Sequence, residues 1–403
     1  MTDGTRKALI LPGAGARGAY QVGVLKAVAE LLPAKAPTPF RILCGTSAGA
    51  INAAVLASRA GRFRHAVREM EQVWANFKVD MVYKADAFSM LKSSLHWLAA
   101  IVFGGLRSHN PISLLDSSPL GELLERRIRF PRIDQAIRCG QLDALAVTAS
   151  AYTSARSVTF FQMRETPTPW SRPRRIGRPT EIRLEHLMAS AAVPFIFPPV
   201  RIGGEYYGDG SMRHRAPLSA PIHLGADRLL IIGVRDEQPD PEPPAGADAH
   251  PPTIAHLAGY MLDTLFMDGL HADLERATRI NMLLERAGEN QRDQPIDGLR
   301  QIETMVVSPS LDVRQAAAHH VEELPYALRL LLKGIGGSSR DGRQLLSYLL
   351  FESGFTRELI EMGYDDGCAR RSELEAFLND DPLAHRATLP PQPESSAVSE
   401  QDQ

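Results

Sequence analysis

The stretch ILCGTSAGAINAAVLA (residues 42–57) constrains this chain more than any other. A short apolar run ends at Cys44, a serine lies between two glycines in Gly45-Thr46-Ser47-Ala48-Gly49, and small helix-forming residues follow. That is the pattern of a strand turning sharply into a helix with a serine on the turn. Glycines suit the turn because its backbone is strained and runs close to its neighbours. The N-terminus of the following helix favours a developing alkoxide on Ser47. Ala48, Ala50, Ala53 and Ala54 let that helix lie close against a sheet. The competing reading is a tight glycine turn with an incidental serine, so the rest of the chain has to supply the partners a nucleophile needs.

Similar apolar runs recur at Lys7–Leu11, Arg41–Cys44, Ala144–Ala149, Val158–Phe161, Leu229–Val234 and Thr304–Val307, each of a length that suits a buried strand. Helical patterns lie between most of them, such as Tyr20–Leu32 and Ala48–Arg59. The alternation implies an α/β protein with a mainly parallel sheet covered on both faces. Asp236–Pro252 is rich in proline and acidic residues and reads as a mobile loop. It divides a core at residues 7–235 from a mainly helical extension at 253–380. Within the extension Ile254–Leu284, Leu324–Leu332 and Arg343–Met362 read as helices, and the run at 304–307 adds a strand if it returns to the sheet. Residues 1–6 form an N-terminal tail, and 381–403 lack a core-forming pattern and are expected to be disordered.

Composition removes several function classes. A formal net charge of −2 over 403 residues gives no basic field for nucleic acid. Cys44, Cys139 and Cys368 are too few and too scattered for a disulfide framework or a zinc site. Cys44, ending an apolar run, reads as a buried filler. With no calcium-loop motif and no metal-ligand cluster, neither metal nor cofactor is expected. No run is long enough to span a bilayer and the N-terminal one is too short for a secretory signal. The expectation is a cytoplasmic protein, peripheral at the inner membrane face if it meets lipid.

Two further motifs flank the serine in chain order. Gly13-Ala14-Gly15-Ala16-Arg17-Gly18 follows the first strand and opens a helix. Alone it fits a dinucleotide loop, but that reading expects an acidic residue at the tip of the next strand, where Cys44-Gly45-Thr46-Ser47 stands instead. What remains is a row of backbone N–H groups suited to negative charge, such as an oxyanion. Far downstream, Gly208-Asp209-Gly210-Ser211 follows the run Val200–Tyr207. Asp-Gly is a common turn, and Asp209 matters because Ser47 needs a base. His214, in MRHRAPL, reads as a surface-loop residue.

In this order the segments LPGAGARGAYQVGVLKAV, GTSAGAINA, MASAAVPFIFPPV and YYGDGSMRHRAPLSAPIHLGADRLLIIGV resemble the patatin-like phospholipases over about residues 7–235. The resemblance implies a three-layer fold and a Ser47–Asp209 dyad without histidine, Ser47 as nucleophile and Asp209 as general base. It implies an oxyanion hole from the N–H groups of Gly13, Ala14 and Gly15, supported by Arg17, Gly18, Gly45, Gly49 and Gly210. Two positions depart from the family pattern. Ala14 stands for a glycine, at a cost of about 1–2 kcal/mol if that position needs positive φ, and Ser211 adds a hydroxyl beside the base. Arg17 is expected to brace the loop. The activity implied is cleavage of phospholipids or other acyl esters. A thioesterase or acyltransferase using the same dyad, or a catalytically weak lipid-binding protein, are the alternatives.

A lipid substrate implies transient contact with a membrane surface. Leu95–Leu106 (LHWLAAIVFGGL) is a candidate lid or interfacial helix, with a buried core or cap helix as the other reading. Arg164–Arg178 carries five arginines in a Pro-rich loop, suited either to anionic headgroups or simply to solvent.

Overall fold

The computed structural model describes residues 5–84, 113–165, 169–213, 216–236, 251–290, 299–337 and 342–382. The stretch Leu95–Leu106, residues 237–250 of the Pro-rich loop, His214 and the tail beyond residue 382 lie outside the described residues.

Strand β1 (Lys7–Leu11) is buried along its whole length, and its residues alternate. Leu9 and Leu11 enter one apolar core, Ala8 and Ile10 a second. Side chains on a strand point to opposite faces with a period of two, so an entirely apolar strand needs a cover on both sides. β2 (Ile42–Thr46), β3 (Ala144–Ala151) and β9 (Arg228–Ile232) divide in the same way. Leu43, Leu145 and Leu230 join the first core, and Ile42, Ala144 and Leu229 the second. Helices Gly18–Glu30, Ala48–Ala57, Phe63–Trp74 and Ser353–Ala369 cover the first face. Helix Ser219–His223 and the part of helix Ile254–Asn290 around Leu270 cover the second. The result is three layers.

β4 (Ser157–Met163), β5 (Ser171–Arg172), β6 (Arg175–Pro179), β7 (Val200–Ile202), β8 (Glu205–Asp209) and β10 (Glu303–Val307) complete one ten-stranded sheet. Its main path is β10-β9-β1-β2-β3-β4-β6-β5, with β8 paired to β3 and β7 to β8. Neighbours from β10 to β3 are all parallel, and antiparallel pairs appear only from β3 outward. The arginine-rich segment is not the loop expected from its prolines, since β5 and β6 form in it. Trp170 stacks on Phe161 at 5.0 Å and packs against Gly177, anchoring the segment to the sheet edge.

The helical extension is woven into this core. β10 pairs in parallel with β9. Helix Ser353–Ala369 crosses Gly18–Glu30 so closely that a Cβ at Gly23 would strike the Ile360 backbone, and one at Gly363 the Tyr20 carbonyl. The helix expected over Arg343–Met362 is two, Arg343–Leu349 and Ser353–Ala369. At the break, Tyr83 Oη donates to the Leu349 carbonyl at 3.1 Å, and Glu352 Oε1 accepts from Val79 N–H at 3.3 Å. Among the described residues no helix is long and apolar enough to cross a membrane.

Candidate active site

The register of the sheet brings Ser47 and Asp209 together. β2 runs beside β3 as far as the pair Thr46–Thr148, and from Ala149 onward the same edge of β3 is taken by β8, beginning with the pair Ala149–Asp209. β8 is antiparallel to β3, so β2 and β8 approach head to head. The last residue of β8 therefore meets the first residue after β2. Both are almost fully buried, Ser47 at 4% exposure and Asp209 at 2%.

Ser47 has φ 53° and ψ −128°, a conformation that costs a non-glycine residue about 1–3 kcal/mol. Several contacts hold it there. Its N–H donates to Ser190 Oγ at 2.9 Å, and that hydroxyl donates to the Thr148 carbonyl at 2.6 Å. Its carbonyl accepts the Ala50 N–H at 2.9 Å. Side chains are excluded at both flanking glycines, because Gly45 lies against Gly49 and Ala50, and Gly49 against the Leu11 carbonyl. Ser190 lies in the segment MASAAVP, and only its spacing in the fold distinguishes it from the serines around it.

Asp209 is anchored by its N–H, which donates to the Ala192 carbonyl at 2.8 Å, and by Oδ1, which accepts the Ser211 N–H at 2.8 Å. Gly210 beside it leaves no room for a side chain against the Thr148 carbonyl. Burial pushes the carboxyl pKa up to about 6, against the opposing pull of the Ser47 hydroxyl and of the Ser211 N–H and hydroxyl. Among the described residues no histidine acts on this carboxylate. The Ser47 hydroxyl is close enough to favour the ionised form, yet no hydrogen bond of normal geometry reaches buried Oδ2. Such contacts are often loose before substrate binds.

The loop after β1 lies beside the pair. Gly13 packs under Ser211 Oγ and the Phe266 ring, with no space for a Cβ. Ala14 has φ −146°, so the conditional cost of an alanine there does not arise. The left-handed residue is Gly15, at φ 53° and against the Tyr348 carbonyl. Gly18 packs against Trp74 and Ala48.

Arg17 is buried at 1% exposure and ties this loop to the extension. Its Nη2 donates to Ser347 Oγ at 2.7 Å, and its Nη1 to Asp263 Oδ1 at 3.2 Å and Tyr348 Oη at 3.0 Å. Asp263 also pairs with Arg235, which leaves the buried carboxylate compensated by two guanidinium groups. A second buried chain of polar groups joins the serine's helix to the loop. Trp74 Nε1 donates to Asn52 Oδ1, Asn52 Nδ2 to Gln21 Oε1, and Gln21 Nε2 to the Pro12 carbonyl, each at 3.0 Å. The first set is not legible locally, since the Arg17 partners stand 246 to 331 positions away.

An apolar cavity opens at Ser47, lined by Gly15, Ala191, Phe266 and Tyr348 and by further aliphatic and aromatic side chains. Its empty volume, open mouth included, is about 1080 Å³. Among the described residues no group of three His, Cys, Asp or Glu side chains is arranged to hold a metal ion. The thiol of buried Cys44 is pushed strongly upward by burial and stays protonated.

No curated protein matches the chain. A solved structure, that of VipD from Legionella pneumophila, aligns with 94% of this chain and 67% of its own at 12% identity and a TM-score of 0.37, a likeness too distant to bear on function. The model of the patatin-like phospholipase family, a family of lipid acyl hydrolases, matches residues 9–222, from β1 through the Asp209 segment. The chain belongs to the patatin-like phospholipase family.

Proposed function

We propose that the protein is a serine acyl hydrolase that cleaves acyl esters of phospholipids or related lipids through Ser47 and Asp209. The observation that carries this reading is the head-to-head meeting of β2 and β8, which places a strained serine beside a buried carboxylate of raised pKa. With a pKa near 6, Asp209 is ionised at neutral pH yet more basic than an ordinary aspartate, which suits a general base.

Asp209 accepts the Ser47 proton as Oγ attacks the ester carbonyl carbon. The N–H groups of Gly13, Ala14 and Gly15 stabilise the oxyanion, and a donor of this kind is worth roughly 3–4 kcal/mol. The intermediate expels the alcohol, which takes the proton back from Asp209, and an acyl-Ser47 ester remains. Water, deprotonated by Asp209, then releases the fatty acid. The apolar cavity supplies a place for the acyl chain, and contact with the lipid surface is transient. Fatty-acid release from phosphatidylcholine micelles tests the reading. Ser47→Ala should lower kcat by three orders of magnitude or more, on the scale seen when a serine nucleophile is lost. Equal release by the variant and the wild type would refute it.

A further inference from the structure

The cavity at Ser47 continues along the helix Ala48–Ala57. Ile51 and Val55, four residues apart on one face of the helix, line it, and Arg59, two residues past the helix end, lines it as well. Opposite them stand Met70 and Val73 of helix Phe63–Trp74, with Leu120 and Leu124 of helix Ser118–Arg127. Apart from Asn52, which is bonded to Gln21 and Trp74, the walls change character only at the far end. There Arg59 pairs with Glu69 and donates to the Arg127 carbonyl at 3.1 Å and to Ser58 Oγ at 2.9 Å. Glu69 is also approached by His65 at 3.3 Å. The far end is thus a paired, partly solvent-exposed set of charges where the apolar slot ends.

Length follows from helix geometry. At a rise of about 1.5 Å per residue the helix Ala48–Ala57 covers about 14 Å, and the flanking residues Ser47 and Arg59 bring the span to roughly 18 Å. An extended hydrocarbon with C–C bonds of about 1.5 Å advances roughly 1.3 Å per carbon, so the span takes about 14 carbons. We propose that the slot is an acyl-chain ruler. The ester carbonyl sits at Ser47, the chain runs past Ile51 and Val55, and the Arg59–Glu69 pair stops its methyl end. Tetradecanoyl esters are therefore cleaved in preference to octadecanoyl ones. A longer chain has to displace the pair or leave its last methylenes in water, so the extra carbons add no favourable burial. Each methylene missing from a shorter chain forgoes about a fourfold gain in affinity. The proposal rests on the acyl-hydrolase reading of Ser47 and specifies its substrate class.

The test compares kcat/KM for hexanoyl, tetradecanoyl and octadecanoyl p-nitrophenyl esters, taken as ratios so that the fraction of folded protein cancels. Val55→Phe, which narrows the slot about two-thirds of the way along and displaces about three methylenes, should lower the tetradecanoyl-to-hexanoyl ratio roughly 50-fold. Arg59→Leu combined with Glu69→Leu should raise the octadecanoyl-to-tetradecanoyl ratio. Ratios that match the wild type in both variants would overturn the ruler while leaving the hydrolase reading intact. Displacement of anilinonaphthalene sulfonate from Ser47→Ala by free fatty acids of the same three lengths gives a readout without chemistry. If no ester is hydrolysed, that measurement decides. A length preference that Val55→Phe shortens supports the ruler, and one it leaves unchanged overturns it.

Discussion

At the scale of single residues, the site depends on how burial sets the proton affinity of Asp209. A carboxyl raised to about 6 should give kcat/KM an acid limb near that pH, falling tenfold per unit below it as the base becomes protonated. Ser211 tunes this limb, because its N–H and hydroxyl both favour the ionised carboxylate. Ser211→Ala keeps the N–H and loses the hydroxyl, so a pH–rate profile should show the limb moved to higher pH. The same burial costs stability. The folded pKa lies above that of an unfolded aspartate, so the folded state holds the proton more tightly, and native stability from this group falls as pH rises from about 4 through about 6. Asp209→Asn removes that cost. Denaturant titration should find the inactive variant more stable than wild type at pH 8, by about 2–3 kcal/mol, with the gain gone at pH 4.

At the scale of elements, the site stands on a helix crossing that glycines make possible. Helix Gly18–Glu30 follows the proposed oxyanion loop, and Gly363 lets helix Ser353–Ala369 press against its backbone at Tyr20. Gly363→Val would force the helices apart, and thermal unfolding should register a loss of about 1–3 kcal/mol. The strands of the sheet's centre were legible because a strand buried on both faces reads as a near-continuous apolar run, as in Lys7–Leu11 and Ala144–Ala149. β5 and β6 were not, because a sheet edge needs no apolar pattern. Arg172, Arg174 and Arg178 remain exposed while Trp170 and half-buried Ile176 make the apolar contacts. The break at Leu350–Glu352 was hidden for another reason, since the Leu349 carbonyl before it is met by the Tyr83 hydroxyl and the Glu352 carboxylate accepts the Val79 N–H, both far away in the chain.

At the scale of the whole molecule, long-range pairing assembles what the sequence holds apart. Ser47, Asp209 and the Gly13–Gly15 loop could be nominated because each occupies a short motif of its own. Arg17 could be expected to brace the loop, but its partners Asp263, Ser347 and Tyr348 lie in ordinary helical sequence. Ser190 carries no signal beyond its segment. The extension accordingly belongs to the site's architecture: its helices hold Arg17 and line the mouth of the cavity through Phe266 and Tyr348. The central claim is that Asp209 activates Ser47. Labelling by a fluorophosphonate probe at pH 8, for wild type, Ser47→Ala and Asp209→Asn, tests it most directly. The expected result is rapid labelling of wild type and none of either variant. Labelling of Asp209→Asn at the wild-type rate, or no labelling of folded wild type, would contradict it.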